Sequence, residues 1–299
     1  MAISRVRVKI NGVWTNLTYN SSTGRYEGTI AAPAATSYNL SGQYYPVTVE
    51  AANDAGTVTT KDDSDAAIGS SLRLTVKETV KPVITLISPT NGSYIQNSNT
   101  PVVFTVLDEA NGSGVKESSI TMKVDGVPAV LAKSSITNGY QCIYTPEDSM
   151  SDGSHTIVID AQDNDGNAAL QVSASYVIDT VPPTLTLSEP TFAITNQPTC
   201  IFSGTTNDNL STPVSVEFML NGEEAGSAAV DISGNFSKTL TLTEGENVVK
   251  VVSTDKAGRS TTVTKNVKLD TSIPQITNVS FEPNPVSTSQ PVKITLEVV

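Results

Sequence analysis

Cysteine is nearly missing from this chain: Cys142 and Cys200 are the only two in 299 residues. They fall in different segments of the repeat described below, so no bridge forms within one domain and no disulfide framework exists. Apolar neighbours on both sides predict buried thiols that act as small hydrophobes. Histidine occurs once, as His155. One histidine and two separated cysteines do not supply four soft ligands for zinc. A Ser-His-Asp triad would have to be built on that same histidine, and the Gly-x-Ser-x-Gly elbow is missing. Charge is sparse, at 16% of residues against a usual share of roughly 25%. Basic residues are the scarcer kind, 18 against 30 acids, for a net charge of −12. Such a surface repels phosphate backbones and anionic lipid, so nucleic acid is not expected as a partner. No run of about 18 apolar residues appears, so no membrane insertion is expected. No stretch of a dozen residues carries the i, i+3, i+4, i+7 apolar stripe of a helix.

Thr, Ser, Val and Asn fill the space left, a mixture suited to half-buried pleated strands. Three stretches share an acid-Thr-x-x-Pro pattern: Glu78 to Pro82, Asp179 to Pro183 and Asp270 to Pro274. From 78 to 179 is 101 residues, and from 179 to 270 is 91. A period near 90–100 residues filled with short alternating strands is the size of one small β-sandwich. The expected fold class is therefore all-β, with tandem immunoglobulin-like β-sandwich domains at residues 1–79, 80–180 and 181–271. Residues 272–299 hold two strands, a C-terminal extension or partial repeat too small to bury a core alone.

Within the first segment Val6, Val8 and Ile10 alternate with Arg5, Arg7 and Lys9, and Asn11-Gly12 marks a hairpin turn. In the second, Val83, Thr85 and Ile87 lead to a turn at Pro89 to Gly92, and Leu185 and Leu187 in the third match Val83 and Thr85 in position. Ile120, Met122 and Val124 precede Asp125-Gly126, as Val216, Phe218 and Leu220 precede Asn221-Gly222. The loop Asp163 to Gly166 is matched by Asp255 to Gly258, 92 residues on.

An Asp-x-x-Gly loop after a penultimate strand, then a closing strand ending in Asp-Thr-x-x-Pro, resembles the bacterial immunoglobulin-like (Big-type) repeats. The resemblance covers residues 80–299 well and the first segment loosely. It implies a non-enzymatic role in cell-surface adhesins, modular hydrolases or phage tails. The segment from Met1 to Asn11 alternates apolar with charged residues and lacks the apolar centre of an export signal. With that, the resemblance implies a structural protein of a phage tail, baseplate, fibre or tail-like particle. It would be a rigid multi-domain spacer or decoration, assembled in the bacterial cytoplasm into the virion or particle. Its partners would be other structural proteins of the particle, in multiple copies. The alternative is a cell-surface or glycan-binding adhesion module, located outside the cell.

Candidate docking residues are Arg5, Arg7 and Lys9 on the basic strand, and Val292, Ile294, Leu296 and Val298 on the last one. Trp14, Tyr19, Tyr26, Tyr44 and Tyr45 are candidate surface-binding aromatics, with Trp14 read alternatively as a core ring. No catalytic, cofactor-binding or metal-binding residue is assigned, and no cofactor is expected. Calcium stays a secondary reading at two places. One is the loop Asp163 to Asn167, where capping of the turn is the stronger explanation and the distal glutamate is missing (position 174 is Ala). The other is the linker acids Glu78, Asp179 and Asp270, with Asp108 or Asp208 as company.

Overall fold

The computed structural model describes residues 2–299; Met1, the start of the first expected domain, lies outside them. Among the described residues every regular element is a strand or a short 3-10 turn. The chain divides into two compact units: residues up to 93 with 97–178, and 94–96 with 179–299.

The first unit opens on one sheet. Ile3–Ile10 lies between Val13–Asn16 and Tyr45–Asn53, and Tyr45–Asn53 in turn carries Val58–Lys61 and Arg73–Leu74. Asn11 and Gly12 both have positive φ, 46° and 79°, which is the primed turn that the dipeptide favours between twisted strands. Thr18–Asn20 and Arg25–Glu27 form a separate hairpin. The interior here is thin: Val8, Tyr45, Ala52 and Leu72 are its buried apolar side chains.

Residues 83–178 of the same unit build two facing sheets. One runs Ala132–Ile136, Gly139–Tyr144, Val102–Leu107, Val83–Ser88; the other includes Val127–Pro128, Thr121–Val124, Gly153–Asp160 and Val172–Ile178 in that order. Period-2 alternation points one side chain in two inward. Val102, Phe104, Val106, Met122, Cys142, Ile157, Ile159 and Tyr176 fill the space between the layers. The opening strand corrects the match of Leu185 to Val83. Val83 and Ile87 face outward, 62% and 48% exposed, and the buried member of the strand is Ile84. Ile84 lies opposite Val106 in the ladder, which fixes the phase.

The second unit contains a like sandwich. Thr184–Glu189, Thr199–Asn207 and Asn235–Thr241 form one layer. Ile194–Thr195, Ser260–Leu269, Gly245–Thr254, Ser215–Leu220 and Glu223–Ala228 form the other, in that order. Phe202, Val216, Phe218, Phe236, Val249, Val251 and Val267 are its core. Burying one such aromatic ring contributes roughly 1.5–3 kcal/mol. The chain closes with Ile276–Glu282 paired to Lys293–Val298, a hairpin with its side chains exposed.

Candidate functional site

Arg5 and Arg7 are held within their own sheet. Both guanidinium groups bind the buried Glu50 carboxylate, at 2.6 and 2.8 Å. Hydrogen bonds from Arg7 and Arg5 hold Glu50 below the usual carboxylate range against its burial. Trp14 is not a core ring: it is half-buried, with the Arg7 guanidinium 4.2 Å and the Lys9 ammonium 5.3 Å from its centroid. The candidate aromatics also divide. Tyr45 is buried and its hydroxyl donates to the Ala35 carbonyl, so it offers no surface. Tyr44 lies under Arg73 and donates to Asp63. Tyr19 is exposed and packs on Tyr26 at 5.3 Å. Val292, Ile294, Leu296 and Val298 all stand exposed on the last hairpin.

Cys142 and Cys200 are buried, and burial pushes both thiols up, away from the reactive thiolate. His155 is buried between Asp125, at 2.7 Å from Nδ1, and the Ser151 carbonyl, at 2.8 Å from Nε2. This is a structural arrangement that pins the hairpin turn to the neighbouring strand.

The fold does gather acids, and in the same way twice. Glu78, Asp108 and Asp163 each place a carboxylate oxygen within 4.8 Å of the other two; so do Asp179, Asp208 and Asp255. The three positions correspond: the acid of the linker, the acid ending the second strand of the sandwich, and the first acid of the Asp-x-x-Gly loop. The displacements are 101 (179 − 78), 100 (208 − 108) and 92 (255 − 163) residues.

Local backbone explains each placement. In the first triad Glu78 accepts from the Ser113 amide at 2.6 Å, and Asp108 from the Gly114 amide at 2.8 Å. Asp163 is fully buried and caps its loop through the amides of Gly166 and Asn167, at 2.6 and 2.7 Å. Gly166 has φ 98°, as the sequence reading of that turn expects. In the second triad Asp208 accepts from the amides of Leu210 and Ser211 at 2.8 and 2.7 Å, and Asp255 from the Arg259 amide at 2.8 Å. Asp179 takes the Ser211 hydroxyl at 2.5 Å.

Charge is left uncompensated. Among the described residues none of the six carboxylates makes a salt bridge with Lys or Arg. Two unit charges 4.8 Å apart repel by about 3 kcal/mol at an effective dielectric near 20. Glu109, beside the first triad, shows the consequence. Its carboxyl is pushed up to about 7, first by the hydrogen bond it shares with Glu78 and then by burial. Burial pushes Glu78 up as well, but the hydrogen bonds from Glu109 and Ser113 outweigh it and hold Glu78 low. Linker acids and Asp108 or Asp208 were paired by the sequence reading; the loop acids Asp163 and Asp255 were kept apart from them. Recurrence of all three positions from one repeat to the next, at displacements of 101, 100 and 92 residues, is the signal that joins them.

Known proteins bear on both sandwiches. Residues 82–159 match the family described as bacterial Ig domain, and residues 183–271 match glucodextranase, domain B. The chain carries tandem immunoglobulin-like β-sandwiches. The PII-type proteinase of Lactococcus lactis subsp. cremoris is 31% identical over 137 residues, 40% of this chain but 7% of the proteinase. A PII-type proteinase of Lacticaseibacillus paracasei is 30% identical over 158 residues, 50% of this chain and 8% of that protein. The chain thus spans a small fraction of these relatives. Among solved structures, the fibronectin(III)-like modules of Clostridium thermocellum CbhA align with 62% of this chain and 94% of theirs, at 17% identity and a TM-score of 0.43. A tetra-tandem repeat from the extending region of a large adhesion protein covers 99% of this chain and 80% of its own, at 18% identity and a TM-score of 0.32. Immunoglobulin-like repeats of this kind are structural or adhesion modules and typically non-enzymatic.

Proposed function

We propose that the chain is a spacer segment of an extracellular or cell-surface bacterial protein, holding other modules at a fixed distance. The observation that carries this reading is the repetition itself. Two successive sandwiches each close their own core, and each has the same acid arrangement at the end where its linker enters. Within the first unit the linker is fastened rather than loose. Lys77 donates to the Asp165 carbonyl at 3.1 Å, the Glu78 amide to the Asp165 carboxylate at 3.1 Å, and Asn39 to the Gly112 carbonyl at 2.7 Å. A joint tied by side chains from both neighbours resists bending, which a spacer needs. The family descriptions and the short match inside two long proteinases support a part of a larger protein rather than a freestanding enzyme.

The tail-particle role implied by the first resemblance has no support among the relatives named above, and the cell-surface alternative is preferred. The test is antibody labelling of intact cells of the bacterium that makes it, with protease shaving of the same cells. Labelling before lysis and release of fragments by protease are expected. Labelling only after lysis, or signal confined to particles, overturns the reading.

A further inference from the structure

We propose that Glu78, Asp108 and Asp163 form one Ca²⁺ site and that Asp179, Asp208 and Asp255 form a second, each at the pole of its sandwich where the linker arrives. The proposal holds wherever the protein works.

Four observations lead to it. The first is donor geometry. A calcium ion takes oxygens at about 2.3–2.6 Å, so two ligands on opposite sides stand at most about 5 Å apart. Three carboxylate oxygens within 4.8 Å of one another fit around one such ion. The second is a pair of orphaned atoms. Asp108 is 6% exposed and Asp255 7% exposed, yet Asp108 Oδ1 and Asp255 Oδ2 are buried without a hydrogen-bond partner. A buried ionised oxygen without a donor is a costly arrangement that a bound cation relieves. One orphan belongs to each triad, from a different strand end in each, so this is no accident of one loop.

The third observation is the set of donors. All six ligands are carboxylates, with no imidazole or thiolate, which selects a hard cation over zinc. The bonds that shape the loops leave the remaining positions to backbone carbonyls and water, a tolerance that suits calcium better than strict octahedral magnesium.

The fourth is internal contrast. A linker acid alone does not build the arrangement. Asp270 occupies the linker position of the third junction, and no acid triad forms around it among the described residues. It bonds Ser272 and pairs with Lys268 at 3.2 Å. In the first segment the corresponding loop opens with Asn53 rather than an acid, and no triad forms there among the described residues. The triads occur where three acids converge, and of the three linker acids only Asp270, which has no triad, pairs with a basic side chain.

Binding would tie the linker acid to two loops of the sandwich. At the first site those loops also hold Thr36, Asn39 and Lys77, so the ion would stiffen that joint.

The test is calorimetric titration of the full chain, freed of metal with chelator, with CaCl₂ alone. Two sites are expected, with dissociation constants on the order of 10⁻⁴ M, and calcium should raise the melting temperature by several degrees while equal magnesium does much less. Asp108→Asn and Asp255→Asn should each remove one site, and the double variant both. In chelator these variants should melt no lower than the parent, because neutralising one acid relieves repulsion. Glu78→Gln and Asp179→Asn provide a second pair if either folds poorly. No heat and no melting shift at a few millimolar calcium overturns the proposal. Unchanged stoichiometry in both double variants does so equally.

Discussion

The Thr36 hydroxyl donates to the Asp165 carboxylate across 129 residues of sequence, at a distance of 2.5 Å. Thr36 is only 4% exposed, and the same Asp165 oxygen also accepts the Glu78 amide. The first segment is therefore locked to the second by a charge-assisted bond at the linker. Thr36→Val keeps the shape and deletes the donor. A lost hydrogen bond to a charged group costs about 1.5–3 kcal/mol. The expected result is faster amide hydrogen exchange through residues 36–37 and 76–78, with exchange in residues 199–207 unchanged.

His155 and Asp125 give the second sandwich a defined pH response. Burial alone would lower the His155 pKa, but the hydrogen bonds to Asp125 and to the Ser151 carbonyl outweigh it, so the net direction is upward from 6.5. Its contribution is fully present below about 6.5 and is lost as pH rises through the folded-state value. Asp125 moves the other way. Burial would raise it, but the bonds from His155 and the Thr156 amide hold it below 3.8. Its contribution is present above about 4 and is lost on acidification. Chemical denaturation followed at the Tyr176 ring, 5.6 Å from His155, should show a midpoint that falls between pH 6 and pH 8.5. Asp125→Asn, which tolerates the positive φ of 51° at that position, should flatten the response.

Two glycines are required by contact rather than by backbone angle. A Cβ on Gly139 would lie 2.0 Å from the Val106 carbonyl oxygen, and one on Gly204 2.0 Å from that of Thr186. Neighbouring backbone cannot yield that far without breaking the ladder. Gly139→Ala and Gly204→Ala should each cost about 3 kcal/mol or more. Gly126→Ala is the control. Its Cβ would meet nothing within 4 Å, and only its φ of 80° is strained, for a cost of roughly 1–2 kcal/mol. Denaturation midpoints of the three variants should follow that order.

Much of the fold is written locally. Asn11-Gly12 and Asp125-Gly126 turn where those dipeptides turn, and Ile120, Met122 and Val124 alternate inward as their spacing requires. The match of Leu185 to Val83 failed because Val83 to Leu86 is apolar or β-branched on both faces, so alternation alone does not choose one. The repeat spacing does: 84 plus 101 is 185, and Leu185 is the buried residue of the third sandwich's opening strand. A slip of one residue reverses every side chain. Tyr45 misled for a different reason. It stands beside the half-exposed Tyr44, and only the ladder position shows which of two adjacent tyrosines enters the core. The acid triads were legible in part. Their linker members repeat visibly, but their convergence depends on strand ends that meet only when both sheets are closed.

Separate cores are the claim on which the rest depends, and Phe104 and Phe218 test it. Both rings are fully buried, each in its own sandwich. Truncating either to Ala should cost about 3–5 kcal/mol. The decisive measurement is residue-resolved hydrogen exchange on Phe104→Ala, Phe218→Ala and the double variant. Phe104→Ala should deprotect residues 102–178 and leave 199–269 as they were, Phe218→Ala should do the reverse, and the two effects should add. Loss of protection throughout the chain from either single change would contradict the account.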